Sequence, residues 1–211
     1  MIRVLLADDH PVVRAGYGRL LEQAGDIRIV AEAGDGDAAC AAWVLHAPDV
    51  LVTDLSMPGG GGLDLIRRVL LRDAAARVLV FSMHDGAMLV RRAFELGARG
   101  FLTKASPPDR LVLAIRALHA GQRHLDPELD PALLSRDPQD EAGRLAGLSA
   151  REFEVFRLLA QGQTAAECAQ ALCLSPKTVA NHQTLIKEKL GVTTSAALAH
   201  LALRHRVIGS S

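Results

Sequence analysis

The stretch Ile2–Arg14, IRVLLADDHPVVR, decides the fold of the first half of the chain. An apolar, β-rich run over 2–7 ends abruptly in two adjacent carboxylates, Asp8 and Asp9, and a stretch with helical spacing follows. Adjacent carboxylates repel each other and resist removal from water. A buried strand that ends in two of them therefore needs partners for their charge from elsewhere in the chain. His10 is interpreted as part of the cap of the following helix.

The same order of a short β-rich run and a helical stretch occurs five times in the first 120 residues. The predicted strands are 2–7, 27–33, 49–54, 77–82 and 99–104. The predicted helices are 11–24, 36–46, 63–73, 86–96 and 107–120. The third strand is apolar without alternation at 50–52, as in a strand that is covered on both faces. Five β-α units predict an α/β domain with a five-stranded, doubly wound parallel sheet, the flavodoxin-like arrangement.

Charge separates the remainder of the chain into two parts. The formal net charge of the 211 residues is zero, but residues 121–143 carry a net −4 and residues 144–211 a net +4. The Asp-Pro-rich segment 121–144 is predicted to be an acidic linker. A basic module behind an acidic spacer indicates an anionic partner for the C-terminal part.

Composition also limits the class of protein. No apolar run approaches the roughly 18 residues that a membrane span needs, which predicts a protein without membrane contact. The three cysteines form no CxxC pair and are interpreted as reduced thiols. Both observations favour a cytoplasmic protein.

The C-terminal part, 145–211, is predicted to be an all-α domain of four helices. These helices are expected at about 149–161, 164–172, 175–190 and 194–205. Ser149 with Glu152 and Thr164 with Glu167 have the spacing of a capping box. Ser175 is expected to cap the third helix.

Five polar side chains fall at the carboxyl ends of the predicted strands: Asp8, Asp9, Asp54, Ser82 and Lys104. These ends meet at one edge of a parallel sheet, so we expect the five side chains to lie close together. Clustered carboxylates become favourable around a hard cation such as Mg²⁺. A carboxylate beside such a metal is able to attack phosphorus and form an acyl phosphate.

The motifs LLADDH, VTDLSMPGGGGLDL, VLVFSMHD and GARGFLTK resemble the receiver domain of two-component response regulators over residues 1–120. The resemblance implies that Asp54 is the phospho-acceptor. Ser82 would bind the phosphoryl oxygens, Lys104 would pair with the phosphate, and the rotamer of Phe101 would follow the state of Ser82. The implied Mg²⁺ ligands are carboxylates and one backbone carbonyl: Asp8, Asp9, Asp54 and the carbonyl of Ser56.

The stretches LSAREFEVFRLLAQG and ECAQALCLSPKTVANHQTLIKEKLGV resemble the LuxR-type helix-turn-helix domain of the NarL/FixJ class. Spacing alone places Val179, Ile186 and Leu190 on the core face of its third helix. The resemblance implies a DNA-contacting face with base-reading residues and phosphate contacts, the former at Ala180, Asn181 and Thr184 and the latter at Lys177, Thr178, Lys187 and Lys189. Gln183 shares this face, and its amide is suited to an adenine edge.

Three functional hypotheses follow. The first is a transcription regulator that a histidine kinase phosphorylates on Asp54, and that then binds paired DNA half-sites in the major groove as a homodimer. The second is a Mg²⁺-dependent phosphohydrolase, which would need an acid two positions after Asp54, where Ser56 stands. The third is a DNA-binding protein whose first domain responds to a signal other than phosphorylation.

Overall fold

A computed structural model describes residues 1–58, 61–129 and 141–208. The described residues form two compact units. The first unit comprises Met1–Met83 with Ala93–Leu129, and the second comprises the remaining described residues.

The first unit is built on a parallel sheet with the order β2-β1-β3-β4-β5-β6. Its strands are β1 Ile2–Ala7, β2 Ile27–Ala33, β3 Val50–Thr53, β4 Val78–Ser82, β5 Gly100–Thr103 and β6 His124–Leu125. Every residue of β3, β4 and β5 is buried, as the absence of alternation in 50–52 predicts for a strand covered on both faces.

Five helices connect the strands of this half of the chain: α1 Pro11–Gln23, α2 Gly36–His46, α3 Gly61–Arg72, α4 Ala87–Glu95 and α5 Asp109–His119. Helices α1 and α5 contribute to one apolar cluster. Leu21 of α1 and Leu111 of α5 are fully buried in it together with Val4 and Val52 of the sheet. The predicted doubly wound α/β fold is confirmed.

One strand was not predicted. His124 and Leu125 pair with Gly100 and Phe101, so β6 adds a sixth strand to the five expected. The first residues of the segment 121–144 therefore belong to the sheet unit, and residues 130–140 of this segment lie outside the described residues. A two-residue strand has too short a pattern for periodicity to reveal it.

The C-terminal part of the chain is helical, as predicted, but it has five helices rather than four, because a short helix forms at Glu141–Ala146, mostly within the segment predicted to be a linker. Its helices are α6 Glu141–Ala146, α7 Ala150–Ala160, α8 Ala165–Ala171, α9 Pro176–Leu190 and α10 Ser195–Arg204. Both capping boxes form at the starts of α7 and α8, and the Ser175 side chain accepts a hydrogen bond from the backbone N–H of Thr178. Gly191 ends α9 in the left-handed conformation that glycine favours.

Candidate functional site

The carboxyl edge of the sheet brings together the ends of β1, β3 and β5. Lys104 Nζ lies 2.5 Å from Asp8 Oδ2 and 2.8 Å from Asp54 Oδ2. All three side chains are almost completely buried, with 5% of Lys104 and 2% of each aspartate exposed. The predicted convergence of these strand ends is therefore present, and the lysine offsets two charges that repel each other.

The environment of Lys104 keeps its side-chain amine protonated. Burial by itself lowers the pKa of a lysine, because a charged group loses hydration. The charges of Asp54 and Asp8 and the hydrogen bonds that these carboxylates accept outweigh burial, so the pKa of Lys104 is raised. The site thus holds a fixed positive charge next to two carboxylates.

Asp54 uses both of its carboxylate oxygens within the unit. Oδ1 accepts a hydrogen bond of 2.6 Å from the backbone N–H of Leu55, while Oδ2 accepts from Lys104. These two contacts fix the carboxylate plane at the end of β3.

Asp9 and His10 complete an acidic cluster with Asp8 and Asp54. One potential ligand atom from each of these four residues lies within 4.8 Å of the others. Asp9 Oδ1 is buried and accepts no hydrogen bond from the described residues, although His10 Nδ1 lies 2.8 Å away. Carboxylate oxygens clustered this closely suit a hard cation, so the residues present are compatible with metal binding.

His10 occupies the N-cap position of α1, as expected, but its side chain makes no capping hydrogen bond. Its Nδ1 instead lies 3.2 Å from Asp8 Oδ1. The ring therefore faces the acidic cluster rather than the helix.

The other residues predicted for this site lie on β4, on β5 and directly after β3. Ser82 ends β4 and is fully buried, and its carbonyl accepts a hydrogen bond from Lys104 N–H. Phe101 is fully buried within β5. Ser56 lies in the bend after β3, and its Oγ is buried with no hydrogen-bond partner among the described residues.

Two residues at this edge have roles that spacing did not indicate. Gly62 approaches the end of β3 so closely that an added Cβ would lie 2.0 Å from the carbonyl oxygen of Asp54. Asp126, assigned to the linker from sequence, is fully buried and binds the loop that follows β5. In the sequence, Asp126 is a single aspartate before a proline, and this pattern more often indicates a turn than a buried side chain.

Helix α9 carries the predicted DNA-contacting face in the second unit. Val179, Ile186 and Leu190 are its buried residues, so the predicted core face is confirmed. The opposite side exposes Lys177, Ala180, Asn181 and Thr184, while Thr178, Gln183 and Lys187 are half-buried. Leu185 is also exposed on this helix, and its position was not predicted.

Lys189 differs from the other three predicted phosphate contacts. Its Nζ donates hydrogen bonds of 2.8 and 2.7 Å to the two oxygens of Glu152. Glu152 is buried, and it also accepts the capping-box hydrogen bond from Ser149 N–H. Lys189 therefore links the last turn of α9 to the first turn of α7, and its contact with DNA stays a prediction.

Comparison with known proteins gives a consistent result for both halves of the chain. Residues 4–116 match the response regulator receiver domain, and residues 146–202 match the bacterial regulatory proteins of the luxR family. The response regulator UvrY of Escherichia coli K12 is 36% identical over 97% of this chain and 95% of its own length. The transcriptional regulatory protein UhpA of Salmonella typhimurium is 40% identical over 95% of this chain and 97% of its own length.

A solved structure covers both units. RcsB of Salmonella enterica serovar Typhimurium, bound to the promoter rprA in the presence of the phosphomimetic BeF3−, is 32% identical with a TM-score of 0.71. The similarity covers 95% of this chain and 97% of the RcsB chain.

Within residues 1–58, 61–129 and 141–208, no helix combines the length and the apolar character that spanning a bilayer requires.

Proposed function

Because the chain belongs to the response regulators that join a receiver domain to a LuxR-type DNA-binding domain, we propose that Asp54 is its phospho-acceptor. The chain is a two-component transcription regulator rather than an enzyme with turnover. The observation that carries the proposal is the contact of a buried lysine with Asp54 and Asp8 at the carboxyl edge of the sheet.

Phosphoryl transfer would come from a histidine kinase. An oxygen of Asp54 attacks phosphorus and forms a P–O bond, while the P–N bond to the donor histidine breaks and the leaving imidazole takes a proton. Lys104 donates its hydrogen bonds to the phosphoryl oxygens in place of a carboxylate, which stabilises the charge on the transferring group. Ser82 is proposed to bind a further phosphoryl oxygen, with Phe101 following its rearrangement.

We propose Mg²⁺ as the cation for the acidic cluster. Asp8, Asp9, Asp54 and the carbonyl of Ser56 would hold it. The three carboxylates lie close together even though their charges repel one another, which supports a cation at this place. The all-oxygen donor set suits a hard cation. When bound, the ion would neutralise charge on the carboxylates and the phosphoryl group.

The exposed side of α9 is proposed to enter the major groove. Ala180, Asn181, Gln183 and Thr184 would meet base edges, because amides bind adenine and small apolar groups contact the thymine methyl. Lys177, Thr178 and Lys187 would contact phosphates and position the helix. The family resemblance implies lysine or arginine in many relatives at the positions of Ala180 and Thr184, so we propose that the base preference of this chain differs from theirs.

Phosphorylation is proposed to favour a homodimer that binds two half-sites. The receiver would shift between two populations, so the phosphoryl group need only favour one of them by a few kcal/mol. Leu203 of α10, with 45% of its side chain exposed, is available for a contact between two copies.

The test is selective DNA binding with and without a phosphodonor and Mg²⁺, measured on the wild type and Asp54→Asn. We expect acetyl phosphate to strengthen binding to selected duplexes in the wild type only. Equal binding under all conditions would instead support the hypothesis of a receiver that acts without phosphorylation. The phosphohydrolase hypothesis requires steady release of phosphate from a generic ester, and we expect none.

A further inference from the structure

A buried carboxylate outside the proposed phosphorylation site is hydrogen-bonded to the loop that carries Lys104. Asp126 follows β6 and is 0% exposed. Its backbone N–H donates to the carbonyl of Phe101, which places it beside the end of β5. None of the roles proposed above uses this residue.

One oxygen of Asp126 accepts three hydrogen bonds. Oδ2 accepts from the backbone N–H of Thr103 at 2.9 Å, from Thr103 Oγ1 at 2.9 Å and from Ser106 Oγ at 2.5 Å. Thr103 and Ser106 are themselves buried. The carboxylate therefore holds the chain immediately before Lys104 and two residues after it.

The other oxygen anchors Asp126 itself. Oδ1 accepts from the backbone N–H of Glu128 at 3.1 Å and lies 3.5 Å from Arg110 Nη1. Burial raises the pKa of Asp126, but the hydrogen bonds from Ser106, Thr103 and Glu128 outweigh this effect, and the pKa is lowered. Asp126 is therefore an ionised, acceptor-only group at neutral pH, which suits a position surrounded by donors.

The position of Lys104 depends on this anchored loop. The Lys104 backbone N–H donates to the carbonyl of Ser82, and its side chain then reaches Asp8 and Asp54. A lysine side chain is flexible, so the direction in which it leaves the backbone determines how often its ammonium meets both carboxylates. Loss of the anchor would leave the donors of Thr103 and Ser106 buried without an acceptor.

We propose that Asp126 is a positioning residue for Lys104 and acts through Thr103 and Ser106. Its predicted consequence for phosphoryl transfer rests on the proposed role of Asp54, whereas its effect on Lys104 does not. Asp126 lies after residue 120, in the segment that the sequence pattern predicts to be a linker.

The first measurement is the reactivity of Lys104 toward an acetylating reagent, followed by mass spectrometry on the full chain. The chain has only four lysines, and the other three (Lys177, Lys187 and Lys189) serve as internal references. In Asp126→Asn we expect Lys104 to react roughly tenfold faster, because a lysine released from two carboxylates reaches solvent. The matched control is Glu128→Gln, which removes a charge from the same segment at an exposed position.

The second measurement is the rate at which acetyl phosphate and Mg²⁺ label Asp54. We expect labelling of Asp126→Asn to be about tenfold slower than that of the wild type, because misplacement of a reacting group by about 1 Å costs up to about 100-fold in rate. Thr103→Val removes one donor and should produce a smaller change in both measurements. Thr103→Ser keeps the hydroxyl and should restore the wild-type values, which a loss of packing alone would not explain.

The outcomes separate the two proposals. Unchanged Lys104 reactivity in both Asp126→Asn and Thr103→Val overturns the positioning role, whatever the labelling rates. Faster Lys104 acetylation in a chain whose wild type is not labelled keeps the positioning role and overturns the proposed phospho-acceptor. If Asp126→Asn has lost its circular dichroism spectrum, the comparison of Thr103→Val with Thr103→Ser decides the question.

Discussion

Single atoms at the end of β3 determine whether Asp54 can serve as an acceptor. Its carboxylate is held by the Leu55 N–H on one side and by Lys104 on the other. The backbone beside it is equally constrained, because Gly62 donates its N–H to the carbonyl of Leu55 at 3.0 Å. A residue with any side chain at position 62 would press against this backbone.

The first prediction concerns that glycine. In Gly62→Ala the new Cβ would lie 2.0 Å from Asp54 O and 2.7 Å from Leu55 Cα, so the backbone around the acceptor must move. We expect the free energy of unfolding to fall by about 1–3 kcal/mol. Labelling of Asp54 by acetyl phosphate should fall as well. Urea unfolding and a labelling time course measure the two effects.

Gly16 provides the matched control for this substitution. It lies within α1, and a Cβ there would meet nothing within 4 Å. Gly16→Ala should therefore stabilise the chain by about 0.5–1 kcal/mol, because alanine is the better helix former. If both substitutions change stability alike, the close approach of Gly62 has no special role.

At the scale of elements, two of the three lysines of α9 have different surroundings. Lys187 is half-buried with no partner among the contacts described, whereas Lys189 is bound by the buried Glu152 of α7. Local spacing places Lys187 near the outer face of the helix, and the family resemblance adds Lys189 as a phosphate contact. The partner of Lys189 is 37 residues away in sequence, so only packing of the two helices reveals it.

The second prediction separates these two lysines by the salt dependence of DNA binding. Each phosphate contact contributes a slope of about −0.9 to log K against log salt concentration, so Lys187→Met should make the slope shallower by about 0.9. Lys189→Met should leave the slope nearly unchanged. It should instead destabilise the chain by about 1–2 kcal/mol, since part of Lys189 faces water and the pair is worth less than a buried one. If the slope became shallower by the same amount in both variants, Lys189 would be a phosphate contact as well.

The third prediction uses the pKa of Glu152. Burial raises this pKa, but the hydrogen bonds from Lys189 and Ser149 outweigh it, so the pKa is lowered from 4.5. A lowered pKa contributes stability above the unfolded value of 4.5, and this contribution is lost as the pH falls through the folded pKa. The wild type should therefore lose more stability than Glu152→Gln between neutral pH and the acid range below 4.5. Parallel stability curves from urea unfolding would exclude this linkage.

At the scale of the whole molecule, the limit of the sheet unit differs from the limit that the sequence pattern suggests. The pattern ends with α5 near residue 120, but β6 and Asp126 continue the unit to Leu129. The hydrogen bonds of Asp126 connect residues 20 and 23 positions apart. We therefore propose that the receiver domain extends to residue 129.

The fourth prediction compares two fragments, residues 1–129 and 1–120. The shorter fragment lacks β6 and leaves the buried donors of Thr103 and Ser106 without their acceptor. Each unsatisfied donor costs about 1–3 kcal/mol, so we expect a lower urea midpoint for 1–120. The fragment 1–129 should also be labelled faster by acetyl phosphate. Identical midpoints would place the boundary at 120.

The sequence by itself determined those features that depend on neighbouring residues. Strand and helix periodicity predicted five of the six strands and four of the five C-terminal helices, because each pattern repeats within a few residues. The short helix α6 was missed, since six residues carry too little periodicity. The capping boxes at Ser149 and Thr164 were likewise readable, since both partners lie three positions apart. The order of strands then brought Asp8, Asp54 and Lys104 to one edge, as parallel sheets require.

Only the tertiary structure decided which distant groups meet. No local sequence pattern predicts three of the contacts described above. They are the three hydrogen bonds to one oxygen of Asp126, the contact of Lys189 with Glu152, and the close approach of Gly62 to Asp54. Their partners depend on the register of β6 against β5 and on the packing of α9 against α7. Such contacts follow from the shape of the assembled chain, because a polar side chain has the same appearance in sequence whether its partner is water or a buried donor.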